Sequence, residues 1–245
     1  MTIEKPVTTG PGKLEEIASR LAVPFKKLPR ADALLKLHSV ALTLLARGKP
    51  VSPAELAEVA GRSVEEVLRD LEGQRSVEYN ENGEITGWGL ALLETPHRIT
   101  VDGKALYTWC ALDTLMYPVV LARTFDVESP CHETGIPVTV RVSPDGVEQV
   151  SPSTAVVSIV IPNDVSDVRV SFCNSVHYFA SENTASAWVE RHPEALLLSA
   201  EDAFTVGALR NHEMVGSSTP SPLDRVLCGP VPEGPDASDP GSCCM

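Results

Sequence analysis

Apolar side chains at Leu34, Leu37, Ala41, Leu44 and Leu45 recur at helical spacing, and Gly48 and Pro50 close the segment. Two further segments carry explicit start and stop signals. Ser52 stands as N-cap, with Pro53 at the first helical position, Glu55 three residues after the cap and Gly61 at the end. Ser63, Glu66 and Gly73 repeat the device. Residues 76–92, "SVEYNENGEITGWGLAL", then read as a hairpin folded around Asn82-Gly83. The Thr/Gly/Pro-rich residues 1–12 lack periodicity and are expected to fray. Three helices followed by a hairpin is a winged helix-turn-helix order.

After Thr95-Pro96 the period changes. Short β segments follow at "RITVDG", "TFDVES", "PVTVRVS", "AVVSIVIP" and "DVRVSF", separated by turns at Asp102-Gly103, residues 133–137, residues 144–146 and Pro162-Asn163. Helical patterns near "TASAWVERH" and "AEDAFTVGALRNHE" complete an α+β chain. From Ser217 on, Pro, Gly, Ser and Asp dominate, which predicts a disordered tail. The expected organisation is an N-terminal segment (1–29), a winged-helix-like domain (30–95), a domain of antiparallel sheet with packed helices (96–216) and the tail (217–245).

Charge narrows the function classes. The chain of 245 residues has a formal net charge of −13, and its would-be recognition helix sets Glu65, Glu66, Asp70 and Glu72 against Arg69. Such a face is repelled by phosphate, so no nucleic-acid partner is expected and the helical domain reads as a scaffold or a lid. Neither a secretory signal nor a membrane-length apolar run occurs, which points to a cytoplasmic protein with no membrane partner. In that compartment six cysteines (110, 131, 173, 228, 243 and 244) read as free thiols, metal ligands or catalytic groups, and the lack of any CxxC pair argues against a zinc finger.

The stretch "YTWCALDTLMYP" carries the first candidate chemistry. From Leu106 to Tyr117 the pattern is apolar all round, predicting a buried helix stopped by Pro118. Cys110 and Asp113, three apart, share one face. Placed in the helix's second half, Asp113 would feel both burial and the macrodipole favouring its protonated form. The bland alternative is a small core cysteine and an aspartate bonded to a backbone donor. Cys173 stands where a strand pattern breaks and can face a cavity. His177 reads as a satisfied, partly buried histidine, and Cys131 as a turn cysteine.

"LYTWCALDTLMYP", then "CHETG" and "VRVSFCNSVHYFAS", resemble organomercurial lyase (alkylmercury lyase) of bacterial mercury-resistance systems, over about residues 30–212. The resemblance implies that Cys110, Asp113 and Cys173 are catalytic, with Cys110 and Cys173 holding mercury, and that Cys131 has no chemical role. It implies protonolysis of R–Hg⁺ to a hydrocarbon and Hg(II), with no cofactor beyond the thiols. Two thiolates on a soft metal make the attached carbon basic enough to take a proton from Asp113. The implied partners are the organomercurial, cytosolic low-molecular-weight thiols and mercuric reductase as acceptor of Hg(II). Two features depart from the family: Asn174 follows Cys173 where some members have a second cysteine, and the tail ends in "GSCCM". Cys243 and Cys244 are candidates for product transfer; the alternative is a drifted terminus. The rival function is a soft-metal binding or sensing protein without turnover, in which Asp113 would have no task.

Overall fold

In the computed structural model, which describes residues 9–215, the chain becomes helical at Pro11. Helix α1 (Pro11–Lys26) has Pro11 in its first turn and buries Leu14, Ile17, Ala18, Leu21 and Ala22. This corrects the expected fraying of residues 1–12 at its end: the Pro and Gly there form a helix start, and an apolar stripe follows. Helix α2 (Ala31–Leu45) buries all five residues of the predicted stripe. In α3 (Pro53–Ala60) the Ser52 hydroxyl accepts from the Glu55 amide, and α4 (Val64–Leu71) opens on a complete Ser63/Glu66 capping box. Asp70 does not belong to the exposed face of α4. It is buried, taking Arg30 at 2.5 Å and Arg62 at 2.7 Å, and so ties the start of α2 to the α3–α4 turn. The exposed acids of that face are Glu65, Glu66 and Glu72.

The hairpin forms as predicted, from β1 (Glu78–Tyr79) and β2 (Ile85–Trp88). An isolated bridge from Val51 to Ile85 fastens it to the α2–α3 connection. Strands β3 (Leu90–Ala91), β4 (His97–Val101) and β5 (Lys104–Thr108) follow, the last two joined tightly at Asp102-Gly103. Helix α5 (Ala111–Leu121) comes next, then β6 (Phe125–Pro130), β7 (Pro137–Ser143), β8 (Gly146–Ser151) and β9 (Val156–Ile159). Helix α6 (Val168–Ser171), a 3-10 turn at Cys173–Ser175, β10 (Tyr178–Phe179), α7 (Glu182–Arg191), β11 (Leu196–Ser199) and α8 (Ala200–Val215) complete the described chain.

One antiparallel sheet runs in the order β1-β2-β3-β5-β4-β6-β7-β8, and a second pairs β10-β9-β11. The strands of the N-terminal hairpin are therefore continuous with the larger sheet through β3 and β5. Strands β6 and β7 alternate buried and exposed, as half-buried strands do. Helix α5 packs on the buried face and α8 packs on α5. On its other side α8 meets α1, where Glu213 accepts from Ser19 and pairs with Lys26 at 3.0 Å. The N-terminal helix thus covers the C-terminal helix of the fold. No helix among the described residues is long and apolar enough to cross a membrane.

Two expected elements differ. "DVRVSF" is not a strand: Asp167 caps α6 by accepting from the Val170 amide at 3.2 Å, and Val170 is 65% exposed, so its alternation marks no buried face. The predicted helix over 106–117 begins later and ends later. Leu106–Thr108 pair with β3 and β4, and the helix runs through Pro118 to Leu121. An interior proline costs about 3 kcal/mol. Burial of every residue from Ala111 to Pro118 outweighs that here.

Candidate active site

Backbone bonds hold the strand-to-helix junction at Cys110. The Trp109 amide donates to the Gly89 carbonyl at 2.9 Å, the Ala111 amide donates to Val176 at 3.1 Å, and the Thr108 hydroxyl donates to the Cys110 carbonyl at 3.0 Å. Cys110 is the N-cap of α5, and Asp113 lies in its first turn. The segment bearing Cys173 reaches the same point through the 3-10 turn after α6. The ligand atoms of Cys110, Asp113 and Cys173 all lie within 4.8 Å of one another, and all three residues are buried. Among the described residues no other three His, Cys, Asp or Glu side chains gather in this way.

The position of Asp113 reverses one sequence expectation. In the first turn, the helix N-terminus favours a carboxylate. Burial nevertheless prevails, raising its pKa to about 6, while the Cys110 thiol, the Tyr117 hydroxyl and Arg210 pull the other way. Its Oδ2 has no hydrogen-bond partner among the described residues. Burial, interaction with the Cys173 sulfur and the Asp113 charge lift the Cys110 thiol well above its usual range. For Cys173, interaction with Cys110 favours the thiolate, but burial and the Asp113 charge outweigh it and the thiol is also raised. The two thiols therefore hold their protons until a ligand for sulfur arrives, while Asp113 is mainly a carboxylate at pH 7.

Cys131 is buried elsewhere, at the turn after β6, with its sulfur 3.8 Å from the Thr184 hydroxyl. His177 is half-buried and stacked on His132 at 3.8 Å between ring centres, edge-on to Phe179 and Trp188, in keeping with a packed histidine. Cys243 and Cys244, proposed above for product transfer, lie outside the described residues, as does the predicted disorder of the tail.

Asp113 and Cys173 line a cavity of about 520 Å³, with Cys110 buried beside them. Its walls include Tyr117 from α5 and residues that no local motif announces: Phe25 from α1, Leu35 and His38 from α2, and Arg210 from α8. His38 contacts the Trp88 carbonyl at 3.0 Å, and burial lowers its pKa to about 4, so it is neutral at pH 7. A side-chain carbon at Gly89, which has φ +80°, would overlap the Tyr117 hydroxyl; glycine is what lets that ring sit beside Asp113. The helical signal of α2 was legible in its apolar stripe, α1 was not predicted, and the place of both over the site had no local signal.

Comparison with known proteins decides which family the chain belongs to. The family model for alkylmercury lyase matches residues 90–210, and that for the helix-turn-helix domain of alkylmercury lyase matches residues 27–89. The alkylmercury lyase of Bacillus cereus is 46% identical over 197 residues, spanning 80% of this chain and 90% of its own. The chain belongs to the alkylmercury lyase family. A second relative, the alkylmercury lyase of Streptomyces lividans, is 42% identical over 206 residues, covering 84% of this chain and 96% of its own. The crystal structure of the mercury-bound form of MerB2 superposes with a TM-score of 0.65 at 24% identity, covering 84% of this chain and all of that one, and supports the fold.

The α5–α8 contact that frames the site of this lyase is tight. A side-chain carbon at Gly207 would lie 2.7 Å from Met116 Cβ. Alanine inside a helix normally gains about 1 kcal/mol over glycine. Here the overlap should reverse the sign, so Gly207→Ala is expected to lower stability by about 1–3 kcal/mol, read from the denaturant midpoint. A midpoint at or above wild type would refute the close packing.

Proposed function

We propose that this alkylmercury lyase cleaves R–Hg–SR′ with Cys110 and Cys173 as mercury ligands and Asp113 as the proton carrier. The observation that carries this reading is the buried trio of two thiols and a carboxyl at the head of an apolar cavity. One thiol displaces R′S from mercury, and its proton leaves as R′SH. The second thiol gives its proton to the Asp113 carboxylate and completes an R–Hg dithiolate. Electron density from two thiolates weakens the carbon–mercury bond, whose electron pair takes the proton back from Asp113 and leaves as R–H. Hg(II) stays on two sulfurs until two external thiols replace them. The sum is R–Hg–SR′ + R′SH → RH + Hg(SR′)₂.

The trio is shielded from bulk water, which strengthens proton transfer and suits a hydrophobic organic group. A pKa of about 6 lets Asp113 accept a proton in one step and lose it in the next near neutral pH. A soft-metal binder without turnover would have no use for that carboxyl, so the lyase reading is preferred. We further assign the protein to the cytoplasm, where low-molecular-weight thiols supply the exchange and mercuric reductase accepts the product. Cys243 and Cys244 act as a transfer pair in that step. The three exposed glutamates on α4 favour a covering role for the helical domain over nucleic-acid binding.

The test is incubation of the purified protein with phenylmercury and excess thiol, with benzene measured by gas chromatography. Benzene well above the protein-free control is expected. None above it, with stoichiometric mercury retained, would establish the binding protein instead.

A further inference from the structure

The mechanism above, on which this inference rests, keeps one negative charge in the site throughout. At rest there are two thiols and a carboxylate. In the loaded state the R–Hg dithiolate is an anion and Asp113 is neutral. In the product state the Hg(II) dithiolate is neutral and Asp113 is again a carboxylate. A monoanion in a largely apolar cavity needs one facing cation.

Among the described residues lining the cavity, Arg210 is the only Lys or Arg. Arg169 also acts on the Cys173 sulfur, but it does not line the cavity. Its guanidinium carbon lies 5.3 Å from the centre of the Trp109 ring and it is ion-paired with Glu78, while His38 is neutral. Arg210 makes no ion pair among the described residues. Its guanidinium carbon stands 4.2 Å from the centre of the Phe25 ring, and Nη1 reaches Asn211 Oδ1 at 3.4 Å. The charges it feels are those of Tyr117, Asp113, Cys173 and Cys110.

Its position is fixed by α8. Gly207 lets α8 approach Met116 of α5, and the Asn211 amide donates to the Met116 carbonyl at 3.3 Å. Arg210 follows Gly207 by three residues and so shares its face. Phe25, on the other side of the guanidinium, comes from α1. We infer that Arg210 is the fixed counter-charge of the mercury site, a positioning residue whose guanidinium holds the single negative charge as it passes from Asp113 to the mercury dithiolate and back. No water needs to reorganise as the charge moves, because the cation is already in place.

The test compares Arg210→Gln, Arg210→Met and Arg210→Lys with wild type. The two neutral variants should release benzene from phenylmercury roughly 10- to 100-fold more slowly in a single turnover, the factor expected for a unit charge facing the reacting groups across one cavity in a protein interior. KM should change less than about threefold, and Arg210→Lys should recover to within about fivefold of wild type. A second readout needs no turnover: protein loaded with Hg(II) chloride and challenged with graded dithiothreitol should yield its metal at the same thiol in every variant to within about threefold, because the site carries the same charge empty and Hg(II)-loaded. Thermal melts establish that the variants are folded. Neutral variants that are folded and release benzene like wild type would overturn the inference, as would an Arg210→Lys variant no better than Arg210→Gln, or a loss of Hg(II) retention in the neutral variants that matched their loss of rate. Should both neutral variants fail to fold, the lysine variant decides alone, with single-turnover benzene release within about fivefold of wild type supporting the role and a larger loss refuting it. Absence of benzene from wild type would refute the lyase assignment itself, whereas benzene from wild type with unchanged rates in the variants would refute the role of Arg210 alone.

Discussion

Cys110→Ser and Cys173→Ser should each reduce arene release by roughly 10³-fold or more, and the double variant should be scarcely worse than either. The reason is electronic. A hydroxyl at either position stays protonated and is a hard donor, so mercury would be left with one thiolate, and one thiolate does not make the attached carbon basic enough to take a proton. Because both sulfurs act in one step, their losses are not additive. Each variant should still capture R–Hg on its remaining thiol, which mass spectrometry would detect as an intact organomercury adduct. Cys131→Ser is the internal control. Its sulfur meets the Thr184 hydroxyl rather than the trio, so turnover should stay near wild type, with a stability loss of about 1 kcal/mol. Substantial turnover in either single variant would mean that the ligand pair is misassigned.

How far the site was legible varies from residue to residue. The spacing of Cys110 and Asp113 correctly placed them in one space, but for an incomplete reason. They are N-cap and first-turn residues of α5 rather than members of a longer helix, because Leu106–Thr108 pair into the sheet. A continuous apolar run does not distinguish a buried strand leading into a buried helix from one long helix. The sign of the macrodipole effect on Asp113 was therefore misjudged, although burial alone sufficed to raise its pKa. Cys173 was placed on a cavity correctly, while the "strand" before it proved to be a short capped helix. Capping boxes, the Asn82-Gly83 hairpin and the alternation of β6 and β7 were readable because each is a local signal. Arg210, His38 and Phe25 were not, because α1, α2 and α8 meet over α5 through contacts spanning much of the chain.

Asp113→Asn should separate function from stability, abolishing arene release while making the protein more stable above pH 6. The amide keeps the size of the carboxyl but can neither take the second thiol proton nor deliver one to carbon, so an R–Hg adduct should persist on the protein. The stability effect follows from linkage. Asp113 ionises at about 6 in the folded protein against an ordinary 3.8. At pH 4 and below, the folded chain holds the carboxyl neutral at no penalty. As pH rises from about 4 to 6 the unfolded chain ionises first, and stability is lost progressively; above about 6 the deficit is complete, about 3 kcal/mol for a shift of roughly two units. An amide carries no such deficit. The variant should thus melt several degrees above wild type at pH 8 and close to it at pH 4, as measured by calorimetry in matched buffers. Stability surrendered at a carboxyl kept buried for chemistry is the expected trade at an active site. Equal melting temperatures at pH 8 would show that burial does not strain this carboxyl, and arene release within tenfold of wild type would remove Asp113 from the proton path.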